Sequence, residues 1–146
     1  MKGICNCGAV AFKVETKVTG LYQCHCQLCQ KQSGSTSNTA VIVPASSFRW
    51  VHGLQSITHW KKDTGFTSDF CKICGSPVPN KLRDTDFYWI PMGLVSDCDV
   101  AIISHICCSS KASWDVIAQD GLHFDDMPED LDRFISRHTQ TEPSGT

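Results

Sequence analysis

No stretch of the chain holds the about 18 consecutive apolar residues that a membrane-spanning helix needs, so no such span is expected. The opening Met1-Lys2-Gly3-Ile4-Cys5 lacks an apolar run after its lysine, so it does not read as a signal peptide. The expected location is therefore intracellular and cytoplasmic. Basic runs are also missing, and the formal net charge is −2, so no nucleic-acid partner is expected. Charged residues make up only 19% of the chain against 41% hydrophobic ones, which excludes a disordered chain. Internal repeats are absent, and so is any linker long enough to divide the 146 residues. One domain is expected over residues 1–138. Thr139 to Thr146 has no core-forming pattern and reads as a flexible tail.

Helical periodicity is scarce too, and β-type patterning takes its place. Val10, Phe12 and Val14 alternate with Ala11, Lys13 and Glu15, the period of a half-buried strand. Further strands are expected at Asn38 to Val43, Phe48 to His52, Ile57 to Trp60, Phe66 to Phe70, Phe87 to Met92 and Ile102 to Cys108. Short strands at regular spacing predict a mainly β, sandwich-like domain of antiparallel strands. One helical turn is expected at Gln30 to Gly34. A short C-terminal helix is expected over Pro128 to His138, with Leu131, Phe134 and Ile135 on one face. Trp50, Trp60, Trp89 and Trp114 read as core or pocket wall.

What the chain has in abundance is cysteine, ten in all. A reducing compartment keeps thiols free, so close-spaced cysteines there read as metal ligands rather than disulfides. Cys24, Cys26 and Cys29 lie within six residues. Residues two apart on extended backbone leave from one face, and a turn at the C-x-x-C spacing can bring Cys29 back to them. Three protein thiols on one ion leave a fourth position open, the arrangement of a catalytic zinc. Cys5 and Cys7 form a second pair, and Cys71 and Cys74, followed by Gly75, a zinc-knuckle pair. The simplest division places Cys5, Cys7, Cys71 and Cys74 on one structural zinc and Cys24, Cys26 and Cys29 on another. The rival division joins the central cluster to Cys71 and Cys74 and leaves Cys5 and Cys7 idle. His25 points away from its neighbouring cysteines on extended backbone and reads as a hydrogen-bonded brace. Cys98, Cys107 and Cys108 lack ligand spacing and read as small buried hydrophobes. Lys31, just after the tripod, is a candidate contact for an anionic substrate. His25, His52 and His59 are candidates for a general base.

Three stretches carry a resemblance. They are Gly3-x-Cys5-x-Cys7-Gly8-x-Val10, Cys24-His25-Cys26-x-x-Cys29-Gln30-Lys31-x-Ser33-Gly34, and Phe70-Cys71-x-x-Cys74-Gly75-Ser76. In order and spacing they resemble the glutathione-dependent formaldehyde-activating enzyme family, which includes centromere protein V. His105-Ile106, Trp114-Asp115, Asp120-Gly121-Leu122 and Phe124 are similar to that family's weaker C-terminal pattern. The resemblance implies a mostly β fold related to methionine sulfoxide reductase B. It implies a structural zinc on Cys5, Cys7, Cys71 and Cys74, and a second on Cys24, Cys26 and Cys29. It also implies a carbon–sulfur lyase acting on S-hydroxymethylglutathione, the adduct of glutathione and formaldehyde. This chain departs from the family at Ser35 to Asn38, which is polar where many relatives are apolar, and at Cys107-Cys108. Two rival functions stand beside the lyase. One is a non-enzymatic zinc module binding a thiol or partner protein. The other is a thiol redox protein using Cys107 or Cys108.

Overall fold

The computed structural model describes residues 1–140. In chain order the strands are β1 Lys2–Ile4, β2 Ala11–Val14, β3 Lys17–Val18 and β4 Leu21–Cys24. Helix α1, Gln27–Ser33, follows. Next come β5 Asn38–Pro44, β6 Phe48–His52, β7 Ile57–Lys61, β8 Thr67–Cys71, β9 Asn80–Lys81, β10 Phe87–Pro91, β11 Ile102–Ile106 and β12 Leu122–His123. Helix α2, Leu131–His138, and β13, Thr139–Gln140, complete the described chain. The fold is mainly β, with short strands and two helices.

The residues form two compact units, Met1–Thr16 with Ile42–Cys98 and Lys17–Val41 with Asp99–Thr146. In the first unit β1 and β6 flank β2, both antiparallel to it. The alternation expected of β2 is realised in part: Phe12 and Val14 are buried and Lys13 is less so, but Ala11 is buried as well. Gly3 lies across from Phe12, and a Cβ there would stand 2.1 Å from the Phe12 ring. No larger residue fits beneath that ring. β7 and β8 form a regular antiparallel ladder from Ile57↔Cys71 to Lys61↔Thr67. Cys5, Val10, Cys71 and Val78 form a buried cluster, with Trp50, Ile57 and Leu94 packed against it. One cysteine of each pair, Cys5 and Cys71, thus sits in the same apolar core, with Cys74 partly buried against it and Cys7 exposed.

In the second unit β4 is central. It runs antiparallel to the start of β5, with Cys24 across from Asn38, and parallel to β11, with Cys24 across from Ile106. β12 adds a second parallel pairing on β11. Antiparallel ladders predominate as expected, but these two are parallel. A parallel neighbour needs a long connection and leaves no hairpin sign in the sequence. The single expected turn is a full helix, α1, closed by Gly34 in the left-handed conformation at φ 66°. α2 begins at Leu131, three residues later than Pro128, because Asp130 is its cap: the Arg133 N–H donates to Asp130 Oδ1 at 3.0 Å. Phe134, Ile135 and His138 are its buried face, and Phe134 meets Tyr22 edge-on at 5.2 Å.

Three expectations need correcting. The tail does not begin at Thr139: Thr139 and Gln140 form β13, pair with Val18 and Lys17, and bury Thr139. Residues 141–146 lie outside the described residues. Trp60 and Trp114 are exposed, at 50% and 71%, rather than core. The strand expected to run to Cys108 ends at Ile106, and Cys107 turns into the left-handed region at φ 55°.

Candidate metal centres

The thiols of Cys5, Cys7, Cys71 and Cys74 all lie within 4.8 Å of one another. Cys7 Sγ is 3.7 Å from both Cys5 Sγ and Cys71 Sγ. A zinc–sulfur bond of about 2.3 Å sets a tetrahedral edge of about 3.8 Å, so this spacing fits the ion. Two glycine turns aim the four thiols. Gly8 at φ 82° sends its N–H to Cys5 O at 3.1 Å, and Gly75 at φ 77° sends its own to Cys71 O at 2.8 Å. The first bond closes over three residues and the second over four, and both turns use a glycine at positive φ, where a Cβ would be strained. The Val10 N–H donates to Cys5 Sγ at 3.3 Å. Ser76 Oγ lies 3.3 Å from Cys74 Sγ and accepts from the Asn6 N–H at 3.1 Å. Hydrogen bonds from the Ser76 side chain and backbone draw the Cys74 thiol down to about 5. At Cys7 the Ala9 N–H pulls the same way, but burial and the neighbouring thiols Cys5, Cys71 and Cys74 prevail and push it up to about 11. Protein groups alone therefore do not support four thiolates here; a bound dication would.

Cys24, Cys26 and Cys29 also lie within 4.8 Å of one another. Cys24 ends β4, Cys26 caps α1, and Cys29 occupies its first turn. The Cys29 N–H donates to Cys26 Sγ at 3.4 Å. A sulfur at a cap position thus holds the helix start that aims the third thiol. Contacts from Cys24 and Cys29 hold the Cys26 thiol down at about 2. Cys29 is pushed up to about 12: Cys24 lowers it, but the Cys26 charge and burial prevail. Cys24 is raised as well, with Cys26 and Cys29 as the chief causes. A cation bound among the three sulfurs would favour the thiolate form of each.

Around this tripod lies a polar framework. The His25 ring is buried, with Nε2 3.1 Å from His105 Nδ1 and the two rings stacked at 5.3 Å. The His25 N–H donates to Ile106 O at 3.0 Å. His25 Nδ1 stands 3.6 Å from Asp115 Oδ2, too far for a hydrogen bond, and neither atom has a hydrogen-bond partner. Burial lowers the His25 pKa despite the opposing Asp115 charge, and burial likewise lowers that of His105. Gln30 Nε2 donates to His25 O at 2.7 Å and to Ser110 O at 3.0 Å. His25 is thus the braced residue its alternation with the cysteines implied. His105, Gln30 and Asp115 were not singled out for this role, although each falls in a stretch that carries the family resemblance. The role of His105 depends on β11 lying against β4, which spacing alone does not show.

Lys31 is exposed on the last turn of α1. His52 Nε2 donates to Gly8 O at 3.0 Å, and His59 Nδ1 pairs with Asp69; both belong to the first unit. Of the three histidine candidates only His25 shares a unit with the tripod. Cys107 is buried as expected, but its thiol contacts Cys24 rather than only apolar neighbours.

The family model for the glutathione-dependent formaldehyde-activating enzyme matches residues 1–110. The chain belongs to that family. A crystal structure of a Rhodobacter sphaeroides protein superposes with a TM-score of 0.58 at 24% identity. It covers 70% of this chain and 99% of its own, and at that identity the likeness is one of fold.

Proposed function

We propose that the chain is a zinc-dependent carbon–sulfur lyase acting on adducts of glutathione or a similar small thiol, with S-hydroxymethylglutathione as the first substrate to test. The observation that carries this reading is the gathering of Cys24, Cys26 and Cys29 in a member of this family. In the cleavage direction the carbon–sulfur bond breaks and sulfur keeps the electron pair. The adduct hydroxyl loses its proton as the carbonyl of formaldehyde forms, and the sulfur gains one as glutathione. A zinc held by Cys24, Cys26 and Cys29 would supply Lewis acidity toward a sulfur or oxygen at its open position. The chain's own residues keep that position in place. The Cys26 cap and α1 hold Cys26 and Cys29, and β4 holds Cys24. His105 and Gln30 fix the ring and carbonyl of His25 between the first two. Lys31 would meet a carboxylate of glutathione. Cys5, Cys7, Cys71 and Cys74 would hold a second zinc with a structural role.

Ten cysteines outside any disulfide suit a reducing, cytoplasmic compartment. No nucleic acid or membrane enters this reading. The test mixes zinc-loaded protein with glutathione and formaldehyde and follows adduct formation by NMR against the uncatalysed rate. Acceleration is expected, and Cys26→Ser should remove it. No acceleration, with glutathione binding retained, would favour the non-enzymatic thiol-binding module instead.

A further inference from the structure

The first unit carries a cleft of about 550 Å³, within the size range of small-molecule sites. It does not use the cysteine clusters. Trp50 and Tyr88 form its aromatic wall, with Leu54 beside them. The wall is held in place from behind: Phe48 stacks on Tyr88 at 4.2 Å and meets Trp50 edge-on at 5.0 Å. Such a surface is pre-formed for a flat apolar group.

Charge chooses the rest of the ligand. Lys61, Lys81 and Arg83 line the cleft against two carboxylates, Asp69 and Asp84. Asp69 is already engaged by His59. Counted over these side chains alone, three cations against two carboxylates leave one positive charge. A monoanion matches that excess, whereas a phosphate dianion would meet the carboxylates uncompensated. Arg83 has backbone φ 49°, unusual for a residue with a side chain, and its guanidinium reaches Thr64 O only at 3.5 Å. Such conformations persist where the surroundings impose them, often at ligand sites. Asn80 adds a hydrogen-bond requirement. It is buried and lines the cleft, and its Nδ2 donates to Thr67 Oγ1 and Lys81 O, while its Oδ1 has no partner. Buried acceptors are nearly always paired, and a ligand N–H or O–H would supply the missing partner.

We propose that this cleft binds a small carboxylate with a flat apolar body and a hydrogen-bond donor. Its carboxylate would face Lys61 and Arg83, and its ring would lie on Trp50 and Tyr88. This site stands apart from the lyase reading and does not depend on it.

The test uses the zinc-loaded protein and ligand-observed saturation-transfer NMR. Indole-3-acetate has the carboxylate, the ring and the N–H, and indole-3-acetamide lacks only the charge. Saturable binding of the acid is expected, with a Kd of about 1 mM or tighter. The amide should bind about tenfold more weakly, the effect of losing charge-assisted hydrogen bonds. Lys61 and Arg83 are exposed, so Lys61→Glu combined with Arg83→Glu should keep the thermal melt and lose binding of the acid. A glycyl-tryptophan arm separates a peptide C-terminus from a free acid: tighter binding of the dipeptide assigns the former. Absence of saturable binding, equal binding of acid and amide, or undiminished binding by the double variant would overturn the proposal.

Discussion

His25 and His105, eighty residues apart in sequence, bring Nε2 and Nδ1 to 3.1 Å in the buried part of the second unit. Burial disfavours charge on both, so one ring nitrogen donates and the other accepts. The pair ties β11 to the residue that separates Cys24 from Cys26. The tripod is therefore braced from a distant segment and not only by its own turn.

Removing one partner leaves a buried acceptor or donor unsatisfied. His105→Ala should cost about 1–3 kcal/mol of stability, and His105→Asn, which keeps a hydrogen-bonding group, should cost less. Urea unfolding of the zinc-loaded proteins measures both. Equal stability of His105→Ala and wild type would show that the pair does not brace the site.

Two zinc ions per chain are the expected metal content, because the seven thiols form two separate sets of close contacts. Metal analysis of freshly reduced protein checks the count. Chelator titration should strip the three-thiol set first, since it has one fewer protein ligand. A single ion lost in a single step would contradict the assignment.

The two sets should respond differently to mutation. Cys7 and Cys71 lie 64 residues apart, so the four-thiol set closes a long loop. Structural zinc binding can contribute roughly 10 kcal/mol or more to folding, comparable to a whole domain's stability. Cys74→Ser should give insoluble or partly unfolded protein. Cys26→Ser lies within a short segment and should stay folded, keep one zinc and lose glutathione binding. Thermal melts, metal counts and titration calorimetry compare the two. Unfolding of Cys26→Ser together with activity of Cys74→Ser would invert the roles.

His138 gives a pH dependence with a defined sign. Its Nδ1–H donates to Phe134 O at 2.6 Å, and its Nε2 accepts from Ser104 Oγ at 3.0 Å, so the neutral ring fits the site. Burial, helped by the Arg137 charge and opposed by the Phe134 carbonyl, lowers its pKa below 6.5. The unfolded chain takes up this proton first as pH falls. Stability is fully present above the unfolded pKa and is lost as pH falls from there through the folded pKa. Urea unfolding at about pH 7.5 and about pH 5.5 should show that loss. His138→Gln should show a smaller one. His25 and His105, lowered by burial too, should account for part of the remainder.

The three-thiol cluster and the two cysteine pairs were legible in the sequence because metal-ligand spacing is a local property. A C-x-C on extended backbone and a C-x-x-C on a turn aim their sulfurs with little help from the rest of the chain. The strand period of β2 and the burial of Phe134 and Ile135 were legible for the same reason, since one face of an element is written in its own repeat. Other features depended on which segments became neighbours. The parallel placement of β11 beside β4 needs a long connection with no turn to announce it, and it alone brings His105 to His25. Cys107 looked like the end of a strand, yet its backbone turns and its thiol meets Cys24. Thr139 looked like tail, yet pairing with Val18 buries it. The local spacing of the thiols determined the two cysteine pairs and the three-thiol cluster, and tertiary structure decided that the Cys5–Cys7 pair meets the Cys71–Cys74 pair across 64 residues. Tertiary structure decided what braces the three-thiol set, because a hydrogen bond between distant residues is set by strand register and leaves no repeat in the sequence.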